Sequence, residues 1–171
     1  MHKRFLILLL SILFLNKGQA ILAQQTAIDS CVIEVFAEGI PAGKIKLVGV
    51  FGDQNFLADS AIVDASGHFV MRRKMPLPAG YYYFLLPNGK NFAMMNDINE
   101  QFITLRTNAK DFSANMQVTG SLNTDLLYQN ARFQAQQEPE LNQLSAALKT
   151  NPSGSAEYTA AKSRQDALMA D

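Results

Sequence analysis

The chain has 171 residues but only one cysteine, two histidines and no tryptophan. These shortages exclude much chemistry. A structural zinc site takes four Cys or His ligands, more than this chain can gather. No Cys-X-X-Cys pair exists, so self-contained disulfide exchange is excluded. With His2 in the leader, His68 is the one imidazole that could serve a serine nucleophile, and no Gly-X-Ser-X-Gly elbow presents such a serine. A phosphate-cradling glycine loop between a strand and a helix is also missing. The 15 basic and 15 acidic groups cancel, leaving none of the positive excess with which nucleic-acid binders track phosphates. After residue 20 no stretch approaches the roughly 18 apolar residues that span a bilayer. The chain is too short for two sizeable domains, and at 48% hydrophobic it is too apolar to be wholly disordered.

What is present begins with a leader. His2, Lys3 and Arg4 precede an apolar run from Phe5 to Phe14, interrupted by Ser11, and small residues follow at Gly18, Ala20 and Ala23. This order is that of a secretory signal peptide, residues 1–23, cleaved after Ala23 or Ala20. Its removal takes away Lys3, Arg4 and Lys17, leaving 12 basic against 15 acidic groups, a net charge of −3. An exported, mildly acidic protein of the periplasm or cell envelope is expected. A lipid on Cys31 would tie it to a membrane. Asp29, however, stands where lipid-attachment sites favour small or apolar residues, and a buried thiol opening the first strand is the leading reading.

Residues 24–120 read as a β-domain. Ile33, Val35 and Ala37 alternate with Glu34 and Glu38. Ile45, Leu47 and Phe51 do the same opposite Lys44 and Lys46 in 43–51. The run 56–63 leads to Asp64-Ala65-Ser66-Gly67, which suits a hairpin loop, and then Phe69 and Met71 face inward. Gly80 to Leu86 is apolar on both sides and predicts a central strand covered on both faces. Asn88-Gly89 marks a hairpin into 90–95, and strands at 102–107 and 116–118 follow. About eight short strands predict a mainly β fold, a compact antiparallel β-sandwich.

From 121 to 171 the composition turns helical. Leu122, Leu126, Tyr128 and Phe133 form one stripe. Leu141, Leu144 and Leu148 form another, opened by Pro139. Ser155 caps a third helix carrying Tyr158, Ala161 and Leu168. The stripes are narrow and the last helix runs to the chain end, so this two- to three-helix connector is expected to be incomplete, its cover supplied by a missing domain, a partner or self-association.

Few side chains offer chemistry. His68 reads as a solvated strand-end residue. Asp53, Asp59 and Asp64 fit no twelve-residue calcium loop, so no metal or other cofactor is expected. Met71, Met75, Met94 and Met95 read as core filling. Tyr81, Tyr82 and Tyr83 could stack on a sugar or peptide, but in a strand Tyr82 must face opposite to its two neighbours, so one side is core.

Residues 49–54, 59–61, 64–69, Pro76-Leu77-Pro78-Ala79-Gly80-Tyr81-Tyr82, 85–92 and Val118-Thr119-Gly120-Ser121-Leu122-Asn123, leading into Leu127-Tyr128, have a recognisable cadence. Over about 31–148 the chain resembles the N-terminal β-domain, a domain of unknown function, and helical connector of exported thioredoxin-like (TlpA-type) thiol-disulfide oxidoreductases of Gram-negative bacteria. There the β-domain precedes a thioredoxin fold with Cys-X-X-Cys, which this chain lacks, so no catalytic residue carries over. The resemblance implies a non-catalytic accessory or interaction domain of the cell envelope, partnered by a protein or a missing thioredoxin-like module. The alternative is a stand-alone binding module for a glycan or peptide, using Tyr81 to Tyr83.

Overall fold

The computed structural model describes residues 29–170; the signal-peptide segment lies outside the described residues. Eight strands run β1 (Cys31–Glu38), β2 (Gly43–Phe51), β3 (Gln54–Val63), β4 (His68–Arg73), β5 (Gly80–Leu85), β6 (Asn91–Asn96), β7 (Phe102–Asn108) and β8 (Gln117–Thr119). The short helix α1 (Phe112–Asn115) sits between β7 and β8, and α2 (Leu122–Thr150) and α3 (Ala156–Ala170) follow. Two four-stranded sheets result, ordered β4-β1-β7-β8 and β3-β2-β5-β6. Every pairing is antiparallel except β1 with β7. The protein is a mainly β sandwich with a helical extension.

Alternation builds the core. Ile33, Val35 and Ala37 of β1, Ile45 and Leu47 of β2, Tyr82 and Phe84 of β5, Phe92 and Met94 of β6, and Ile103 and Leu105 of β7 are all buried. Phe84 stacks on Phe92 with ring centroids 4.8 Å apart and meets Phe69 edge-on at 5.7 Å, the offset and T-shaped geometries that aromatic quadrupoles favour.

The Asp64–Gly67 turn differs from the expected hairpin. β3 pairs with β2 and β4 with β1, so this turn carries the chain from one sheet to the other. It is tight nonetheless: Gly67 N–H donates to Asp64 O at 3.1 Å, and Asp64 N–H to His68 O at 3.0 Å. Gly67 adopts φ +82°, and a Cβ there would lie 2.1 Å from the Ala37 carbonyl oxygen, so no other residue fits. Asn88-Gly89 does close the β5–β6 hairpin, with Leu86 N–H donating to Lys90 O at 2.9 Å.

Phe51 shares the alternation of Ile45 and Leu47, yet it is 80% exposed. The β2–β3 hairpin runs past the end of the core there, and Phe56 closes the inner face one rung earlier by lying over Gly49. Met75 and Met95 are exposed while Met71 and Met94 are core. Strand β5 is central in its sheet but buries only one side, Tyr82 and Phe84.

Pro139 does not open a helix; α2 is continuous through it. Proline removes the N–H that would bond the Ala135 carbonyl, but both residues face water, which can take that partner's place. Of the expected stripe only Tyr128 is buried: Leu122, Leu126 and Phe133 are exposed, and Thr124 and Leu127, outside the stripe, turn with Tyr128 toward the sandwich. Ser155 caps α3 as its sequence position predicts, accepting from Tyr158 N–H at 3.1 Å. A two-pronged Arg164–Glu140 pair, at 2.6 and 3.2 Å, ties α3 back to α2.

Candidate interaction surface

The chemistry-bearing residues are dispersed and committed. Cys31 is fully buried at the start of β1. Burial pushes its thiol above the usual range, outweighing the Leu77 backbone N–H and the Arg73 charge that pull the other way. The thiolate needed for attack or acylation is thereby disfavoured. Arg73 donates to the Ala58 carbonyl at 2.6 Å and sits 3.5 Å from Asp59. Asp64 accepts from the Ser66 hydroxyl and from the Ser66 and His68 backbone N–H groups. These bonds, the Ser66 hydroxyl first, hold its carboxyl below the ordinary carboxylate range. Asp59 and Asp64 therefore serve separate structural tasks, and no cluster of three metal-ligating side chains occurs among the described residues.

His68 lies on one rung of the first sheet with Phe36 and Arg106. Its ring stacks on Phe36 at 4.6 Å, Nε2 is 3.0 Å from Glu34 Oε1, and the Arg106 guanidinium lies 3.9 Å from the Phe36 centroid. The outer face of this sheet is thus laced by charge and cation–π contacts.

The outer face of the second sheet is built differently. Because Tyr82 and Phe84 point inward, Tyr81, Tyr83 and Leu85 point outward. Register sets Leu57, Val48, Tyr83 and Ala93 side by side across all four strands, and Asn55, Val50, Tyr81 and Met95 along the next outward rung. Tyr81 is 43% and Leu57 62% exposed, while Val48 between its neighbours is only 8% exposed. The charges at the outward positions are Lys44 and Lys46 of β2; no carboxylate stands there. The tyrosine triplet is thereby split, one ring in the core and two on this apolar face.

Both edges of that sheet are closed. At β6, the Thr124 hydroxyl of α2 donates to Met95 O at 2.8 Å and accepts from Met95 N–H at 3.1 Å, and Tyr128 donates to Ala93 O at 2.7 Å. Helix side chains here imitate a neighbouring strand. At β3 the register shifts so that Ala58 bulges out, and Arg73 caps its carbonyl. A bulge beside a charged pair is a device against strand addition.

Sequence reasoning did not identify the polar clamp beneath this sheet. Buried Gln101 accepts from Leu77 N–H at 2.7 Å and donates to Leu77 O at 3.0 Å and Asp97 O at 2.8 Å. Asn96 donates to Leu77 O at 2.7 Å, and Tyr82 to Pro78 O at 2.9 Å. The clamp fixes the segment that leads from the first sheet into β5. Asn96 and Gln101 at inward positions were its sequence signal, since buried amides occur where they are hydrogen-bonded.

No curated protein and no solved structure matches the chain. A family model does match, over residues 31–127. That span holds all eight strands and the first turns of α2, including Thr124, which seals the β6 edge. The chain therefore belongs to the family described as a domain of unknown function, DUF4369.

Proposed function

We propose that the protein is a non-catalytic interaction domain of an exported thioredoxin-like system in the bacterial cell envelope, acting through protein contacts. The observation that carries this reading is the apolar outer face on which exposed Leu57, Tyr81 and Met95 surround Val48 and Tyr83, since contiguous exposed apolar surface marks contact sites. The resemblance to thioredoxin-like proteins with a β-domain ahead of a helical connector supplies the class of system. The leader of residues 1–23 supplies the compartment. Cys31, buried and held as the neutral thiol, suits a scaffold better than a redox centre. With dithiothreitol present, the protein is expected to reduce insulin disulfides no faster than dithiothreitol alone. A faster rate that vanishes in Cys31→Ser overturns the reading.

A second reading, a glycan- or peptide-binding module, is favoured by the outward placement of Tyr81 and Tyr83 on one face. Under it, chitin or peptidoglycan oligosaccharides change tyrosine fluorescence in the native protein and not in Tyr81→Ala. An unchanged signal at millimolar sugar removes it.

A further inference from the structure

We propose that the outer face of the second sheet docks an acidic, amphipathic helix of a partner protein, its apolar stripe over Val48 and Tyr83 and its carboxylates against Lys44 and Lys46. The proposal rests on the interaction reading above and gives it a partner chemistry. Three features of the face select this occupant.

The first is shape. Strand addition is disfavoured, because α2 side chains occupy the β6 edge and the Ala58 bulge with Arg73 interrupts the β3 edge. What remains open is the face itself, whose four strands at about 4.8 Å spacing are wide enough for one helix about 10 Å across. A helix laid on a sheet face is the ordinary way to bury such a layer.

The second feature is charge. Lys44 and Lys46 stand at outward positions of β2 with no carboxylate at the outward positions of β2, β3, β5 and β6. Neither lysine has an ion-pair partner among the salt bridges of the described residues. A partner with carboxylates flanking its apolar stripe meets both needs. A second copy of the same face would instead set lysines against lysines, which interfaces avoid.

Relief is the third. An apolar centre at Val48, 8% exposed, with a tyrosine beside it and a charged margin, is the layout of a protein interface. Membrane insertion wants apolar side chains that project, and two lysines add only about 2 kcal/mol at an anionic surface. The most exposed ring among the described residues, Phe51 at 80%, lies two residues from Asp53, on the opposite side of the strand from Val48 and Val50.

The test uses the whole protein, isotopically labelled, and two synthetic 18-residue peptides with the same leucine stripe, one flanked by Glu and one by Lys. The Glu peptide is expected to shift the amide resonances of Val48, Leu57 and Tyr83. In Lys44→Glu/Lys46→Glu its affinity is expected to fall about tenfold, the scale of two exposed attractions turned to repulsions, with the Lys peptide now preferred. All three substituted positions lie on the surface, and Leu57→Ser weakens both peptides. Equal binding of both peptides by the native protein overturns the proposal. So does a shift of these resonances by vesicles containing 30% phosphatidylglycerol when the Glu peptide gives none, or a concentration-dependent dimer that buries them. Shifts confined to α2 and α3 also overturn it while leaving the interaction reading standing, which falls only with Cys31-dependent turnover.

Discussion

The two sheets obey one rule inside and two rules outside. Inward positions of both are apolar and buried, from Ile33 and Leu105 in the first sheet to Phe84 and Met94 in the second. Outward, the first sheet sets Glu34, His68, Arg72 and Arg106 among Val32, Phe36, Val70 and Phe102, with Glu34 against His68 and Arg106 over Phe36. The second carries Val48, Tyr81, Tyr83, Leu57 and Met95, of which Tyr81, Leu57 and Met95 are exposed. A sandwich needs only its inner faces to fold, which leaves the outer ones available for contacts. The first sheet has spent that freedom on contacts among its own side chains. The second has kept a surface whose composition folding alone does not require.

The sharpest way to break this contrast is to cut one strand on both sides. Phe84→Ala empties the core between Phe69 and Phe92 and is expected to cost about 3–5 kcal/mol in urea unfolding. Tyr83→Ala, one residue along and half-buried on the outer face, is expected to cost about 1 kcal/mol or less. Equal losses would mean that both sides of β5 are covered.

Next in size is the seam between sheet and helix. Thr124→Val keeps the shape but removes the hydroxyl that serves both Met95 N–H and Met95 O. Stranding those groups under α2 is expected to cost about 1–3 kcal/mol. A negligible loss would show that α2 rests on the sandwich without sealing it.

Much of this architecture was legible from alternation and turn chemistry. Period-two burial in β1, β4, β6 and β7, and the Asn88-Gly89 hairpin, follow from local rules that tertiary context did not overturn. The failures share a cause: local pattern states which residues lie together, not what lies opposite them. Phe51 has the right period in a hairpin that outruns its core. Leu122 and Leu126 have helical spacing, but hydrogen bonds from Thr124 and Tyr128 to β6 choose the other side of α2. Asp64–Gly67 is a true turn whose strands are claimed by different sheets. Helix α1, four residues capped by Asp111, is too short to show a period. The candidate surface was half legible: alternation splits Tyr81 and Tyr83 from Tyr82, but only strand order adds Val48 and Leu57.

Alkaline pH separates the inside from both outer faces. Burial raises the Cys31 thiol and, more strongly, the Tyr128 phenol, whose hydrogen bond to Ala93 O stays with the protonated form. Above the unfolded values of 9.0 for the thiol and 10.0 for the phenol, the folded state holds more protons than the unfolded one. Stability is therefore fully present below pH 9 and declines as pH rises above it. Urea midpoints between pH 7 and 10.5 should fall in that window, and Cys31→Ala should remove the part that begins near pH 9. A flat profile would mean the thiol is not held neutral by the core.

The smallest effect is expected on the charged face. Glu34 lies 3.0 Å from the His68 imidazole, with both side chains partly solvated. Glu34→Gln keeps the volume and an acceptor while removing the charge, and His68 keeps its stack on Phe36. A change under about 1 kcal/mol is expected, since a pair this solvated returns little after side-chain ordering and solvent screening. Raising the salt to 1 M should shrink it further, because screening then acts within about 3 Å. The same variant should bind the Glu-flanked peptide as the native protein does, since Glu34 belongs to the other sheet. If Glu34→Gln weakens that binding as much as Leu57→Ser, the two outer faces are not independent, and the partner must reach around the sandwich rather than lie on one side of it.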